Sequence, residues 1–248
     1  MVTQLKNQTA IVTGAASGIG KAVAFKLVEN GAKVYAFDLD GASLQRLYND
    51  PGMNIIPVAI DVTNDQRVME EVEKVVHSEG KVEILVNCVG ITGATNIKSH
   101  LVDVENLKQV FDVNFMSCFY LSKAVVPHML ENKYGRILHL ASIAGKEGNS
   151  GMLAYSASKA ALIGMTKVQG SEYAESGITV NAMAPAVIRT PLVDKMPEEQ
   201  VKYMTDKIPM KRCGTLEEAA NLALYIVSPE NSFTTGFTFD LTGGRARY

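Results

Sequence analysis

The sequence is poor in cysteine and has no excess of either charge. Its three cysteines, Cys88, Cys118 and Cys213, are odd in number and widely spaced, so we expect free thiols in a reducing compartment, the cytoplasm, and no disulfide frame. The formal net charge is -2 and like charges form no block, which argues against nucleic acid or an anionic membrane as a partner. The four histidines fall at no metal-ligand spacing, so no metal site is expected.

Long apolar runs are also missing. No run approaches the roughly 18 residues that a membrane span requires, and the first residues lack the apolar core of a signal peptide. The 248 residues, of which 47% are hydrophobic, are enough for a domain with a real core. Because no linker or repeat interrupts the chain, we expect a single domain over residues 1–248.

Short apolar runs alternate with helical patterns along the chain. The predicted strands cover residues 10–13, 33–38, 54–60, 82–86, 135–141, 178–184 and 236–241, and the clearest predicted helices cover 65–78, 104–132 and 216–227. This alternation predicts an α/β fold, a Rossmann-like doubly wound parallel sheet of about seven strands with helices on both faces. The polar, proline-containing segment 187–213 is long for a connection, and we expect it to form a substrate loop.

A glycine-rich turn links the first strand to the first helix. Gly14, Gly18 and Gly20 let the backbone approach a pyrophosphate, and the helix that follows offers free N–H groups to it. An ordinary glycine turn is the alternative. Asp38 ends the second strand, where a carboxylate accepts bonds from the ribose hydroxyls of NAD and repels the 2′-phosphate of NADP. The expected cofactor is therefore NAD.

Tyr155 and Lys159 are four residues apart in a helical pattern and so lie on one face of a helix. A free tyrosine, with a pKa of about 10, is a poor base at neutral pH. A nearby cation favours the phenolate, which can then exchange a proton with a substrate hydroxyl or carbonyl. The alternative is a solvated helix face.

Two other polar residues stand in apolar surroundings. Ser142 follows a predicted strand, where its hydroxyl could bond a substrate oxygen or cap a turn. Asn114 interrupts an apolar helix face between Val113 and Phe115. It is either a satisfied core asparagine or the holder of a water used in the chemistry.

Taken in order, these motifs resemble the short-chain dehydrogenase/reductase family. The resemblance covers essentially the whole chain and rests on Thr13-Gly14-x3-Gly18-Ile19-Gly20, Asp61, Asn87-x2-Gly90, Asn114, Ser142, Tyr155-x3-Lys159 and Pro185-x4-Thr190. Two positions depart from the family pattern. Cys88-Val89-Gly90 stands for Asn-Ala-Gly, and Pro185-Ala186 stands for Pro-Gly, both small replacements near the expected cofactor.

The resemblance implies a role for each matching residue. Tyr155 would be the general acid/base, Lys159 would favour its phenolate and bond the nicotinamide ribose, and Ser142 would orient the substrate oxygen. Asn114 would hold a water that relays protons from Lys159. The residues expected to bind the cofactor are Gly14, Ser17, Ile19, Asp38, Asp61, Val62, Asn87, Gly90, Tyr155, Lys159, Ile188 and Thr190. Because the family is usually tetrameric, we expect a homotetramer with the seventh strand and last helix at its contacts.

The substrate is a small molecule whose pocket is expected to include the polar segment after Ser142. The candidate substrate-binding residues are Ser142, Glu147, Asn149, Tyr155 and Arg247. Arg245 and Arg247 would clamp a carboxylate, since a guanidinium fork fits a carboxylate with two bonds. The alternatives are a solvated turn and a solvated tail.

The Gly-Gly-Arg ending is similar to that of sugar-acid members of the family, such as the 2-keto-3-deoxy-fuconate/rhamnonate 4-dehydrogenases. The leading hypothesis is therefore NAD-dependent oxidation of a secondary alcohol on a polar, sugar-derived hydroxy acid. One alternative is a 3-oxoacyl or general ketone reductase. The other is a regulator that senses the cofactor without catalysis.

Overall fold

A seven-stranded parallel sheet organises the part of the chain described in this computed structural model, residues 4–50, 52–191 and 193–246. Its strands are β1 (Thr9–Thr13), β2 (Lys33–Asp38), β3 (Ile55–Ala59), β4 (Ile84–Asn87), β5 (Gly135–Leu140), β6 (Ile178–Pro185) and β7 (Thr238–Leu241). The strand order is β3-β2-β1-β4-β5-β6-β7. The predicted doubly wound α/β fold is confirmed.

Helices cover both faces of the sheet. They are α1 (Gly18–Glu29), α2 (Gly41–Leu47), α3 (Asp65–Glu79), α4 (Val104–Phe111), α5 (Ser117–Glu131), α6 (Ile143–Glu147), α7 (Leu153–Glu172), α8 (Glu198–Asp206) and α9 (Leu216–Val227). A π-helical turn, Asp112–Met116, joins α4 to α5. None of the helices within the described ranges has the length and apolar character that crossing a membrane requires.

The alternation of side chains along β1 explains the two helical layers. Ala10 and Val12 belong to a buried cluster with residues of α1 and α9, whereas Ile11 belongs to a second cluster with residues of α3 and α5. Successive side chains of a strand point to opposite faces, so a strand buried on both faces is apolar throughout. The sheet therefore separates two apolar cores, and its strand ends remain available for polar residues.

The structure differs from the predicted elements at several boundaries. The predicted helix 104–132 is divided by the π-helical turn, and β4 begins two residues later than predicted. α8 lies inside the predicted loop 187–213, where Pro197 precedes two acidic residues in the first helical turn. Proline and acidic side chains are favoured at helix beginnings, and this signal was present in the sequence.

Helix α6 was also not predicted, because Gly145 and Gly148 suggested a turn. Ser142 caps this short helix, and Gly145 packs against the backbone of α7. A Cβ atom at Gly145 would lie 2.7 Å from the carbonyl carbon of Lys159, so only glycine allows the two helices to approach so closely. Packing between distant segments therefore determines this helix.

Replacing Gly145 with alanine is expected to lower the free energy of unfolding by about 1–3 kcal/mol, because the added methyl group overpacks the contact between α6 and α7. Gly164 in the exposed part of α7 is the matched control, since a Cβ there meets nothing within 4 Å. Gly164→Ala should raise stability by about 0.5–1 kcal/mol, the usual gain in a helix interior. Chemical denaturation of both variants measures the difference, and equal changes would contradict the packing argument.

Candidate active site

A cleft of about 220 Å³ lies where β4, β5 and β6 end, beside the first turn of α1. Ligand sites in doubly wound sheets form at the carboxyl ends of the strands, so this is the position that the topology favours. The cleft brings together seven of the residues singled out from the sequence: Ile19, Gly90, Ser142, Tyr155, Lys159, Ile188 and Thr190.

Helix α7 carries the tyrosine and the lysine into the cleft on successive turns. The Nζ atom of Lys159 lies 5.8 Å from the centroid of the Tyr155 ring. Lys159 is only 3% exposed, and its Nζ donates a hydrogen bond of 2.7 Å to the carbonyl oxygen of Leu140. A buried ammonium is thus held close to a phenol at the cleft.

Ser142 forms the N-cap of α6. Its Oγ accepts a hydrogen bond of 3.1 Å from the backbone N–H of Ala144. A hydroxyl that accepts one bond keeps its own hydrogen for another acceptor. Capping and binding of a substrate oxygen are therefore compatible roles for this serine.

Asn114 lies in the π-helical turn and is fully buried. Its Nδ2 donates to the carbonyl oxygen of Ile91 and to Ser158 Oγ, and its Oδ1 accepts from the N–H of Ile91, at 2.8–2.9 Å. Both amide hydrogens are used, so the side chain is a satisfied core asparagine that fixes the chain after β4.

One acceptor position of Asn114 Oδ1 remains beside the lysine. A Cβ atom placed on Gly90 would lie 3.3 Å from this oxygen and 3.2 Å from Lys159 Nζ. Glycine thus keeps open the space that the two groups share. A proton-relaying water in that space remains a prediction.

The turn between β1 and α1 has the shape that a pyrophosphate needs. Gly14 and Gly18 have φ angles of +66° and +52°, a region that favours glycine. Ser17 is the N-cap of α1, yet its side chain makes no capping bond, and the first turn contains no acidic residue. The free N–H groups at this helix N-terminus can therefore bind an anion.

Asp38 lies beside this turn at the end of β2. Its carboxylate accepts hydrogen bonds from the N–H of Ala16, at 2.9 Å, and from the N–H of Asp40, at 3.0 Å. A carboxylate has about four acceptor positions, so two remain for ribose hydroxyls. The same carboxylate orders the glycine turn, and its role in binding a ribose remains a prediction.

Asp61 and Val62 follow β3 on the same edge of the sheet. The Oδ1 atom of Asp61 accepts from the N–H and the hydroxyl of Thr63, at 2.9 and 2.7 Å. Val62 is buried in the core beneath it. These bonds hold the Asp61 carboxylate at the surface, where its contact with the cofactor remains a prediction.

Four expected site residues lie elsewhere or cannot be placed. Asn87 is buried against His139 and does not line the cleft. Asn149 lines a separate groove, formed with residues 96–100. Glu147 Oε2 accepts two bonds from Arg245, at 2.9 and 2.7 Å. Arg247 lies outside the described residues.

His139 is a buried titratable residue that the sequence analysis did not single out. It lies in β5 with no exposed surface and has a side-chain partner on each nitrogen, Asn87 and Gln169. Burial lowers the pKa of His139 to about 4 from its ordinary 6.5. The sequence signal for His139 was a polar residue inside an apolar strand.

This lowered pKa predicts a loss of stability in acid. Between about pH 6.5 and pH 4 the unfolded chain binds a proton at His139 that the folded protein excludes. The free energy of unfolding should therefore fall by up to about 1.4 kcal/mol per pH unit as the pH is lowered through this range. Urea denaturation of wild type and His139→Gln across the range isolates the effect, and equal slopes would contradict it.

Comparison with known proteins finds relatives that match nearly the whole chain. A family model described as enoyl-(acyl carrier protein) reductase matches residues 14–245. A 2-dehydro-3-deoxy-L-rhamnonate dehydrogenase (NAD(+)) of Sphingomonas sp. (strain SKA58) is 45% identical over 239 residues, which cover 96% of this chain and 95% of that protein. A 3-oxoacyl-(acyl-carrier-protein) reductase of Thermotoga maritima is 37% identical over 245 residues, which cover 97% and 98%.

A solved structure shares the fold over nearly the full length. It is the crystal structure of 3-ketoacyl-(acyl-carrier-protein) reductase from Brucella melitensis complexed with NADH. The similarity has a TM-score of 0.91 at 32% sequence identity and covers 98% of this chain and 100% of that chain.

Proposed function

Because this chain belongs to the short-chain dehydrogenase/reductase family, we propose that it oxidises a secondary alcohol of a sugar-derived hydroxy acid to a ketone, with Tyr155 as acid/base. The protein is an oxidoreductase acting on a CH–OH group, and NAD is its cofactor. The observation that carries the substrate class is the 45% identity, over 96% of the chain, to an NAD-dependent sugar-acid dehydrogenase.

The residues of the cleft fit the cofactor. The uncapped N-terminus of α1 and the turn of Gly14 and Gly18 suit a pyrophosphate. Asp38 suits two free ribose hydroxyls, and Ile188 and Thr190, which line the cleft, would hold the carboxamide. When bound, NAD supplies the hydride acceptor, and the protein supplies orientation and charge.

Side chains of the protein then bind the substrate hydroxyl and accept its proton. Ser142 Oγ keeps a hydrogen for donation to the substrate oxygen, because its capping bond uses it only as an acceptor. Tyr155 accepts the hydroxyl proton, and the ammonium of Lys159 stabilises the phenolate that does so. Two positioned groups on one oxygen also restrict its orientation to the cofactor face of the cleft.

The segment after β7 is the proposed place for recognition of an acid. Arg245 docks against Glu147, and two of its five N–H donors are used in that pair. Three N–H donors are not used in this pair, although neither Arg245 nor Glu147 lines the cleft that holds Ser142 and Tyr155. A substrate carboxylate at this place would complete the guanidinium's bonds.

A homotetramer is the proposed assembly. β7 is an edge strand of the sheet, and Phe237 and Tyr225 beside it are 54% and 47% exposed and pack edge-on against Phe239. Exposed edges and apolar patches usually mark interfaces. Light scattering should give a mass of about four chains of 26.8 kDa, and a monomeric mass would refute the assembly.

The substrate test measures NADH formation at mildly alkaline pH. The panel contains 2-dehydro-3-deoxy-L-rhamnonate, other sugar acids, polyols and simple secondary alcohols, each with NAD and with NADP. Turnover confined to the acids with NAD supports the proposal. Turnover confined to neutral alcohols would support the oxidation of a secondary alcohol and would contradict an acidic substrate.

A 3-oxoacyl reductase is the second candidate, and the 37% identity to the Thermotoga maritima enzyme favours it. The panel therefore includes the reverse reaction on a 3-oxoacyl thioester with NADH and with NADPH. Faster reduction of the thioester with NADPH would select this candidate and would overturn the reading of Asp38.

A further inference from the structure

Three buried polar side chains form a hydrogen-bonded chain directly beneath the cleft. Asn87 Nδ2 lies 3.1 Å from His139 Nδ1, and His139 Nε2 lies 3.1 Å from Gln169 Oε1. Asn87 ends β4, His139 lies in β5, and Gln169 lies in α7. These hydrogen bonds therefore connect the strands that lead to Gly90 and Ser142 with the helix that contains the Tyr155–Lys159 pair.

The bonding partners determine the state of the imidazole. The amide oxygen of Gln169 can only accept, so His139 Nε2 carries the hydrogen and Nδ1 accepts from Asn87 Nδ2. A charged imidazolium would donate from both nitrogens and lose the bond from Asn87. The neutral ring therefore makes both bonds in this arrangement, in which Asn87 Oδ1 has no hydrogen-bond partner among the described residues, and it suits a fixed support.

The residue after His139 holds the lysine of the cleft. The carbonyl oxygen of Leu140 accepts the 2.7 Å bond from Lys159 Nζ, and among the described residues no carboxylate pairs with this lysine. The titratable groups near it are Tyr155, His139, Cys88 and Cys118. Burial raises the pKa values of the two thiols to about 12 and 11, so they stay neutral. The position of one carbonyl therefore sets the position of a buried cation.

The Leu140 carbonyl lies where β5 loses its pairing with the neighbouring strand β4. β4 ends at Asn87, which pairs in register with His139, so β5 has no partner on that side at Leu140. Only β6 continues, where Met183 pairs with Leu140. The side-chain bonds of His139 to β4 and α7 are the last connections on the open side before the carbonyl.

We propose that His139 is a positioning residue for the reaction described above, on which this inference rests. Its neutral imidazole fixes the end of β5 against β4 and α7. This fixes the Leu140 carbonyl, and through it the Lys159 ammonium, relative to Tyr155. Asn87 and Gln169 orient the imidazole.

The test compares His139→Leu with His139→Gln. Leucine fills the site without hydrogen bonds, whereas the glutamine amide can accept from Asn87 and donate to Gln169. In crystal structures, the Leu variant should show Lys159 Nζ and Leu140 O more than about 3.5 Å apart, beyond hydrogen-bond distance. The Gln variant should restore the bond.

Kinetics supply the second readout. With NAD and 2-dehydro-3-deoxy-L-rhamnonate, the Leu variant should lose about tenfold or more in kcat, since small displacements of catalytic groups are costly. The pH at which kcat is half-maximal should rise by about half a unit or more, because the cation supports the phenolate less. The Gln variant should recover both values, which a purely structural role would not predict.

The outcomes separate this inference from the proposed function. An intact Lys159–Leu140 bond with an unchanged pH profile in the Leu variant, even at lower stability, overturns the inference. If the wild type does not turn over the sugar acid, the proposed substrate fails, and the crystallographic distance alone decides the positioning role. If the Leu variant does not fold, Gln169→Met is tested in its place. It removes the acceptor of the hydrogen bond from His139 Nε2 and must lengthen the same Lys159–Leu140 distance.

Discussion

Replacing Tyr155 with phenylalanine is expected to lower kcat by about 10²–10⁴-fold, the usual contribution of a positioned acid/base group. Phenylalanine keeps the ring beside Lys159 and removes only the hydroxyl at the cleft. The substrate hydroxyl then has no group in place to accept its proton. Steady-state NADH formation at saturating NAD and substrate measures the loss.

Two controls test whether the loss of kcat is specific to the Tyr155 hydroxyl. NADH binding, followed by fluorescence titration, should stay close to the wild-type value because the ring and the cofactor turn are unchanged. Tyr225→Phe removes the same atom at the edge of the sheet, beside Phe239, and should leave kcat unchanged. A Tyr155→Phe variant within about tenfold of wild-type kcat would refute the acid/base role.

Replacing Asp38 with asparagine is expected to reduce the preference for NAD over NADP, measured as the ratio of kcat/KM values, by about 10²-fold. Like charges placed together cost several kcal/mol, and each 1.4 kcal/mol is about a factor of ten. Asparagine keeps one oxygen for the N–H of Ala16, so the glycine turn retains a support. The loss of charge is then the main change at the ribose.

The matched control is Asp40→Asn. Asp40 is an exposed carboxylate two residues away that caps α2 by accepting bonds from Ser43. Asparagine is about as good an N-cap as aspartate, so this variant should change stability little and leave the cofactor ratio unchanged. If Asp38→Asn does not change the ratio, or if Asp40→Asn changes it equally, Asp38 does not select the cofactor.

The residues of the cleft were predictable because parallel strands bring their carboxyl ends to one edge. Gly90, Ser142 and Ile188 are far apart in the chain, yet each follows a predicted strand, and the structure places all three in one cleft. Helical spacing predicted that Tyr155 and Lys159 share one face of a helix, and the family resemblance implied their role at a site. Period and topology indicate that these residues lie close together, whereas the family resemblance selected Gly90 and Ile188 as site residues.

Other features depend on contacts between distant segments. Glu147 is expected from the sequence to face a substrate, but the structure pairs it with Arg245, 98 residues further on. The partner of His139 is Gln169, on a helix whose rotation the sequence leaves open. The π-helical turn at Asn114 has the same origin, because that side chain is satisfied by Ile91 and Ser158 from other elements.

Cys88 replaces the usual family residue at the floor of the cleft, and its desolvation has a practical consequence. The thiolate is the reactive form of cysteine, and desolvation raises the pKa of the partly exposed Cys88 to about 12, so the thiol is the form present at neutral pH. Electrophilic reagents, alkylating agents and peroxide among them, are therefore expected to react slowly with this residue, although it lines the cleft.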